Sequence, residues 1–394
     1  MCNKNTNIRP AIVVLAYNRE KSLLRLLATL NEAKYEFDDI PLIISVDYGE
    51  TKENKNVLEI ARSFIWNHGY KIVRTFKQNQ GLKEHFLQCG DYSIDYGAAI
   101  MLEDDVLPAP YFYSYVVQAL QYYKDENRVL AISLYSQYWN GYANRPFIPI
   151  NQGKDVYFSQ IECSWGECYI GERWKEFKVW YKRNVNNLLQ RTDIPSQILN
   201  WENSYSKYII NFFIDSGKYY ITPYVSLSTN FGDVGVHFKK NETLYQVPMM
   251  QGDKKYIFSD FEESVKYDVF FENINLKHEL EKKYKCNVCL DFYGLRVSYE
   301  GYDYCISAQN LPYAIMKTYG LQMRPWEENI YRQVEGEGIY MYDLKKRRNS
   351  GGDFCKLQQL RYQLYGLRWK EALYYALINL RLKFKMTSKE NNIC

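Results

Sequence analysis

Residues 98–115 read AAIMLEDDVLPAPYFYSY. The apolar run 98–102 ends abruptly in three acids, Glu103, Asp104 and Asp105. Pro108 and Pro110 follow, and then an aromatic-rich segment of helical character. A short, continuous apolar run is the signature of a buried strand. Prolines just ahead of a periodic segment mark a helix start. The acids therefore stand where a strand leaves its sheet, the edge at which open α/β sheets bind ligands. Three adjacent carboxylates repel one another unless something positive neutralises them. A divalent metal held by oxygen ligands is the first candidate. The plain alternative is a solvated turn whose acids favour the next helix N-terminus. Asp105 lies too far ahead of that helix to be its N-cap.

Working outward, three apolar runs precede this one: 11–16 (AIVVLA), 42–46 (LIISV) and 71–76 (KIVRTF). They recur at intervals of roughly thirty residues, the repeat of a βα unit. Helical stripes lie between them. Leu23, Leu26, Leu27 and Leu30 form one, and Val57, Ile60, Ala61, Phe64 and Ile65 a second. A weaker one runs over 82–89. The alternation predicts an α/β fold, a mostly parallel sheet with helices on both faces.

The chain has 394 residues and a formal net charge of +4. That length suits one large domain or one domain with extensions. With 46% hydrophobic residues a full core can be built and disorder is not expected. The mild basic excess is not a nucleic-acid footprint. The start, MCNKNTNIRP, shows no apolar secretory region. No run of about 18 apolar residues predicts a membrane span. Nine cysteines, an odd number without framework spacing, predict reduced thiols and a cytoplasmic location. The 39 tyrosines suit stacking on sugar faces, although genome base composition yields the same excess.

No GxGxxG follows the first strand and there is no Walker loop. In their place Ala16, Tyr17, Asn18 and Arg19, at and just beyond the end of the first strand, are candidate nucleotide contacts. Asp47 closes the second, where a carboxylate can hold a base or ribose edge or simply serve a turn. Asn79, Gly81 and Lys83 open the third crossover, where a glycine lets backbone N–H groups approach phosphate.

Taken together, order and spacing over about residues 8–240 resemble the glycosyltransferase A fold, the Rossmann-like nucleotide-sugar-binding domain. AIVVLAYNRE resembles the opening of family 2 glycosyltransferases. LEDDVLPAPYFYSY is similar to the acidic motif of the N-acetylglucosaminyltransferase I family, where Glu-Asp-Asp replaces Asp-x-Asp. The resemblance implies that Asp105 coordinates Mn²⁺ or Mg²⁺. It implies that Glu103 and Asp104 contact sugar or ribose, and that Asp47 reads the base, uracil.

Further along, residues 163–177 (CSWGECYIGERWKEF) resemble the acceptor-side segment of these families. Trp165 beside Gly166 offers an apolar platform for a sugar; the other reading makes Trp165 and Trp174 core aromatics. Residues 200–213 (NWENSYSKYIINFF) predict one helix with Glu202 at its start. In inverting enzymes of this fold an acid there deprotonates the acceptor hydroxyl. The sequence departs from the family pattern at Asn203, where a second acid is expected. Asp193 and Asp215 are alternative bases, and an ordinary surface acid is the plain reading of Glu202. In 228–238 (STNFGDVGVHF) the families carry a similar turn closing over the nucleotide. His237 would bind the metal or a phosphate oxygen there; otherwise it is a surface histidine.

The motifs fade beyond residue 250. Cys286-x-x-Cys289 with Cys163 and Cys168 raises a four-thiolate zinc site, against ordinary buried cysteines. Residues 290–327 resemble an extension of some bacterial surface-polysaccharide transferases. In the tail, Leu357, Leu360, Leu364, Leu367, Leu373, Leu377, Leu380 and Phe384 recur at helical spacing. Lys356, Arg361, Arg368, Lys370, Arg381, Lys383 and Lys385 surround them, beside Glu371. Such a helix suits an anionic membrane surface or packs on the domain.

The organisation expected is a catalytic unit over 8–245, with a nucleotide-sugar half 8–135 and an acceptor half 136–245. An extension 246–350 and a basic amphipathic helical tail 351–394 complete it, the fold class adding a helical C-terminal extension. The expected activity is an inverting, metal-dependent hexosyl- or N-acetylhexosaminyl-transferase. It would act with a UDP-sugar on a glycan or lipid-linked saccharide in bacterial surface-polysaccharide synthesis. It would sit peripherally on the inner face of the plasma membrane and bind no nucleic acid. The alternatives are an inactive membrane-docked glycan-binding or scaffold protein and a sugar nucleotidyltransferase. The latter needs a glycine-rich loop that AYNREKSLLR lacks.

Overall fold

The computed structural model of the protein describes residues 8–186, 188, 191–233, 244–348, 356–364 and 368–390. Strands β1 (Ala11–Ala16), β2 (Leu42–Val46), β3 (Lys71–Thr75) and β4 (Ala98–Glu103) carry the four apolar runs. Helices α1 (Glu20–Glu32), α2 (Lys52–Ser63), α3 (Gly81–Gly90) and the short α4 (Tyr92–Tyr96) connect them. β1 pairs in parallel with both β2 and β4, and β2 with β3. The chain thus turns back on itself between β1 and β4, which makes the crevice at their carboxyl ends a topological switch point.

Next come β5 (Val106–Pro108), α5 (Phe112–Tyr122), β6 (Val129–Ser133), β7 (Trp139–Asn140), β8 (Arg145–Pro146), β9 (Val156–Ser159) and β10 (Glu167–Ile170). Helices α6 (Gly171–Asn184), α7 (Ser196–Leu199) and α8 (Tyr205–Ser216) lead into β11 (Tyr219–Pro223), β12 (Ser228–Asn230) and β13 (Lys266–Tyr267). One sheet runs β13-β9-β11-β6-β10-β4-β1-β2-β3. Five of its eight pairings are parallel, so the sheet is mostly parallel as expected. The inserted β10 runs antiparallel between β4 and β6.

Period-two alternation divides the core between two faces. Ile12, Val14, Ile100 and Leu102 pack with Leu23, Leu26, Leu27 and Leu30 of α1 and Val57 and Ala61 of α2. Ala11, Val13, Ala99 and Met101 pack with Phe86 of α3, Trp174 and Phe177 of α6, and Tyr205 and Ile209 of α8. Both faces are covered by helices, as the sequence pattern requires. Two expected helices differ. α2 stops at Ser63 because Phe64 turns extended (ψ 133°), and Ile65 is exposed. The single helix expected over 200–213 is broken: α7 ends at Leu199, Asn203 is left-handed (φ 38°), and α8 starts at Tyr205.

The C-terminal part is not purely helical. α9 (Ile274–Tyr284), β14 (Val288–Asp291), β15 (Tyr304–Ser307), β16 (Tyr313–Tyr319), α10 (Trp326–Tyr331) and β17 (Ile339–Arg347) build a second sheet in the order β14-β15-β17-β16. It has its own core around Leu276, Leu290, Ile306, Trp326 and Met341. Helices follow only in α11 (Lys356–Gln363) and α12 (Trp369–Glu390). α11 is docked: Tyr362 is buried and its hydroxyl donates to the Met323 carbonyl at 2.7 Å. α12 is not, for Trp369, Leu373, Leu377 and Leu380 are each at least half exposed. Cys168 belongs to the large sheet and Cys289 to the second. No three histidine, cysteine or acidic side chains group as metal ligands among the described residues, which removes the four-thiolate zinc reading. Among the same residues no helix is long and apolar enough to cross a membrane.

Candidate active site

The switch point gathers most of the predicted residues. Ala16 is buried at the end of β1, and its carbonyl accepts the Asp47 N–H at 3.0 Å. Tyr17, Asn18 and Arg19 form the turn into α1. The Tyr17 carbonyl takes the Asn54 side-chain N–H at 2.6 Å, leaving its ring partly exposed. Asp47 is buried. Its Oδ1 accepts from the Tyr48 N–H (2.8 Å) and the Gln80 N–H (2.9 Å). Its Oδ2 accepts from the Gly81 N–H (3.0 Å) and the Asn79 Nδ2 (3.2 Å). A carboxylate has about four lone-pair sites, so in this structure Asp47 is filled as an anchor for the α3 N-terminus, with its negative charge against the helix dipole. Asn79 and Gly81 point these donors at Asp47 and not at open solvent. Lys83, one turn on, lies 5.7 Å from the Tyr208 ring centroid and 3.6 Å from Glu84.

At the end of β4 the three acids part company. Glu103 turns toward α8, where the Tyr205 hydroxyl donates to its Oε1 at 3.2 Å. Burial pushes its carboxyl up to about 8; Asp105 adds to this and Arg19 opposes it. Asp104 and Asp105 turn toward α1. The positive group that neutralises them is the Arg19 guanidinium, whose Nη1 donates to Asp105 Oδ2 at 2.7 Å while its Nη2 pairs with Asp104. Burial pushes Asp104 up to about 7 against the pull of Arg19. Burial also works against the guanidinium's charge, but the two carboxylates outweigh it and hold Arg19 above its usual value.

A return strand covers this turn. β12 pairs antiparallel with β5, and the Phe231 N–H donates to the Asp105 carbonyl at 2.9 Å. Arg25 of α1 lies 3.5 Å from the Phe231 ring centroid and pairs with Asp233, which also accepts from Ser22 at 2.6 Å. Burial raises the Asp233 carboxyl, but these donors outweigh it and hold it below its usual value. His237 lies outside the described residues.

The acceptor-side residues divide. Gly166 has φ 101°, a conformation that favours glycine, and a Cβ there would stand 3.1 Å from Leu134. Trp165 is part-buried, edge-on to Tyr135 at 4.7 Å and tilted against Tyr245 at 5.1 Å. Trp174 is fully buried and belongs to the core. Glu202 is exposed in the break before α8, not at the helix start, because left-handed Asn203 precedes the Ser204 cap. It makes no hydrogen bond or ion pair with the described residues. Asp193 and Asp215 are both held by Arg191, at 2.6 and 2.7 Å.

Two acids with no predicted role stand beside this group. Glu167, wholly buried in β10, accepts from the Tyr220 hydroxyl at 2.6 Å and the Tyr169 hydroxyl at 2.9 Å. Burial holds it well above the usual carboxyl range. Glu162 is pushed by burial up to about 7, against a hydrogen bond from Ser206. One oxygen of each has no hydrogen-bond partner among the described residues. The signal for Glu167 is an acid opening the otherwise apolar strand ECYI.

The donor chemistry for a divalent cation is partly present. Asp105 Oδ1 is buried and lacks a hydrogen-bond partner among the described residues. Hard cations take carboxylate oxygens of this kind.

No protein-family model and no characterised protein sequence matches the chain. Solved structures match parts of it. A mannosyltransferase from Pyrobaculum calidifontis, in complex with GDP-Man and Mn²⁺, is 14% identical with a TM-score of 0.35, covering 55% of this chain and 55% of its own. S. aureus TarS, residues 1–349, is 13% identical with a TM-score of 0.31, covering 43% and 49%. GalNAc-T7 with UDP, GalNAc and Mn²⁺ is 13% identical with a TM-score of 0.38, covering 56% and 43%. The chain thus spans about half the length of the structures it matches.

Proposed function

We propose that this protein is an inverting, metal-dependent glycosyltransferase of the glycosyltransferase A fold. In this reading it moves a hexosyl or N-acetylhexosaminyl group from a UDP-sugar to a glycan hydroxyl in bacterial surface-polysaccharide synthesis. The observation that carries the reading is the acid turn at the switch point of the sheet. It combines a buried Asp105 oxygen, unpartnered among the described residues, with a guanidinium that can serve phosphate. Residues 8–245 would form the catalytic unit.

Asp105 would hold Mn²⁺ or Mg²⁺, which when bound offsets the charge of the departing diphosphate. Asp104 and Glu103 would take ribose and sugar hydroxyls. With its proton retained near neutral pH, Glu103 can donate as well as accept. Trp165 would lie against the acceptor sugar. Glu202 would accept the acceptor proton as the hydroxyl attacks the anomeric carbon; it is uncommitted, whereas Asp193 and Asp215 are tied to Arg191. Direct displacement needs no covalent enzyme intermediate.

The test is a panel of UDP-, GDP- and dTDP-sugars with Mn²⁺. We expect nucleoside diphosphate release from a UDP-sugar, lost with EDTA and restored by Mn²⁺. No release and no binding with any donor would end the reading.

The tail would place this site on a membrane carrying a lipid-linked saccharide. Exposed Trp369, Leu373, Leu377 and Leu380 share one face of α12, with Lys370 on its flank. The full chain is expected to sediment with anionic vesicles and to release in high salt. The double charge reversal Lys370→Glu/Arg381→Glu should abolish sedimentation. Equal binding to neutral vesicles would count against this placement.

A further inference from the structure

Arg19 was expected to contact nucleotide, and the acid turn was expected to be neutralised by a metal. The structure joins these two expectations in one contact. Arg19 bridges Asp104 and Asp105, using the same Asp105 carboxylate whose other oxygen is buried and has no partner among the described residues. All three side chains are shielded, at 26%, 3% and 14% exposure, so this is not a solvated surface pair. A cation approaching Asp105 meets a guanidinium already fixed on that carboxylate. The two positive groups repel strongly at such range and burial. The guanidinium fork also matches a diphosphate as well as it matches carboxylates.

We propose that Arg19 is a displaceable counter-ion that couples metal binding to nucleotide binding. This rests on the glycosyltransferase reading for the identity of the nucleotide. In the free protein Arg19 occupies the acid pair and keeps cation affinity low. A nucleoside diphosphate draws the guanidinium onto its phosphate oxygens, and Asp105 is then released toward the cation. Each ligand therefore raises the affinity for the other by the same factor.

The experiment measures Mn²⁺ affinity, from the electron paramagnetic resonance signal of free Mn²⁺, with and without UDP. In the wild-type protein UDP should tighten Mn²⁺ about tenfold or more. Arg19→Gln should bind Mn²⁺ alone about tenfold more tightly and lose most of the UDP effect. Arg19→Lys keeps the charge without the fork. It should fall between the two, and it serves as the second variant if Arg19→Gln does not fold. Unchanged or weakened Mn²⁺ affinity in the folded variants without UDP overturns the proposal. Tightened Mn²⁺ affinity in the variants, with no response to UDP in any protein, upholds the counter-ion role and overturns the nucleotide reading instead.

Discussion

Asp105→Asn is expected to lower kcat/KM for sugar transfer roughly a thousandfold or more, since under the proposed function it removes the carboxylate that would hold the cation offsetting the charge of the departing diphosphate. Melting should change little. Asparagine keeps the shape of the turn, and the Asp105 carbonyl still accepts the Phe231 N–H. Arg19 keeps Asp104 as its partner. The separation between these two outcomes is what gives the experiment its force. A residue that only shaped the turn would lose stability and activity together. Mn²⁺ should fail to restore the activity at any concentration the protein tolerates. Transfer within about fivefold of wild type would remove Asp105 from the mechanism, because losing a required metal ligand costs far more than that.

The sequence made the four apolar runs and the acid turn legible because both are local signals. Ala11–Ala16 and Ala98–Glu103 divide their side chains between two covered faces, and an apolar run buried on both faces reads plainly. Pairings across long separations were not legible. Arg19 and Asp105 are 86 residues apart, so nothing local showed that the counter-ion was an arginine. Of the donors on Asp47, only the Tyr48 N–H is a sequence neighbour; those from Asn79, Gln80 and Gly81 lie 32–34 residues away. The break at Asn203 was hidden because Trp201, Tyr205 and Tyr208 keep helical spacing through it, and spacing carries no φ angle. β10 is illegible for a different reason: it is only four residues long and opens on Glu167, whose carboxylate is buried against the Tyr169 and Tyr220 hydroxyls. In the second sheet of the extension, β14 and β15 have four residues each, too short to alternate clearly.

Gly90→Ala is expected to be strongly destabilising, although it touches no site residue. Gly90 ends α3, and a Cβ there would stand 2.0 Å from Cζ2 of Trp174. That is far inside van der Waals contact, so something must move. The indole is rigid and cannot yield at its tip. Its Nε1 donates to Asp91 at 2.9 Å, and its ring packs against Phe86, Tyr169 and Phe177 at centroid distances of 6.3, 4.7 and 4.9 Å. Moving Trp174 therefore loosens α6 from α3 and from β10 together. Overpacking of this kind costs about 3 kcal/mol, or a fall in Tm of roughly 6–12 °C. The favourable helix propensity of alanine over glycine, about 1 kcal/mol, acts in the other direction and is too small to offset it. Gly252→Ala is the control, since a Cβ there meets nothing within 4 Å, and it should melt with the wild type. Enlarging the space should rescue the variant in part: Gly90→Ala combined with Trp174→Phe should melt above Gly90→Ala alone, a non-additivity expected only of residues in direct contact. Coincident melting of Gly90→Ala and Gly252→Ala would show that the α3–α6 contact gives way freely, and that Trp174 does not fix the helix layer beneath Glu103 and Tyr205.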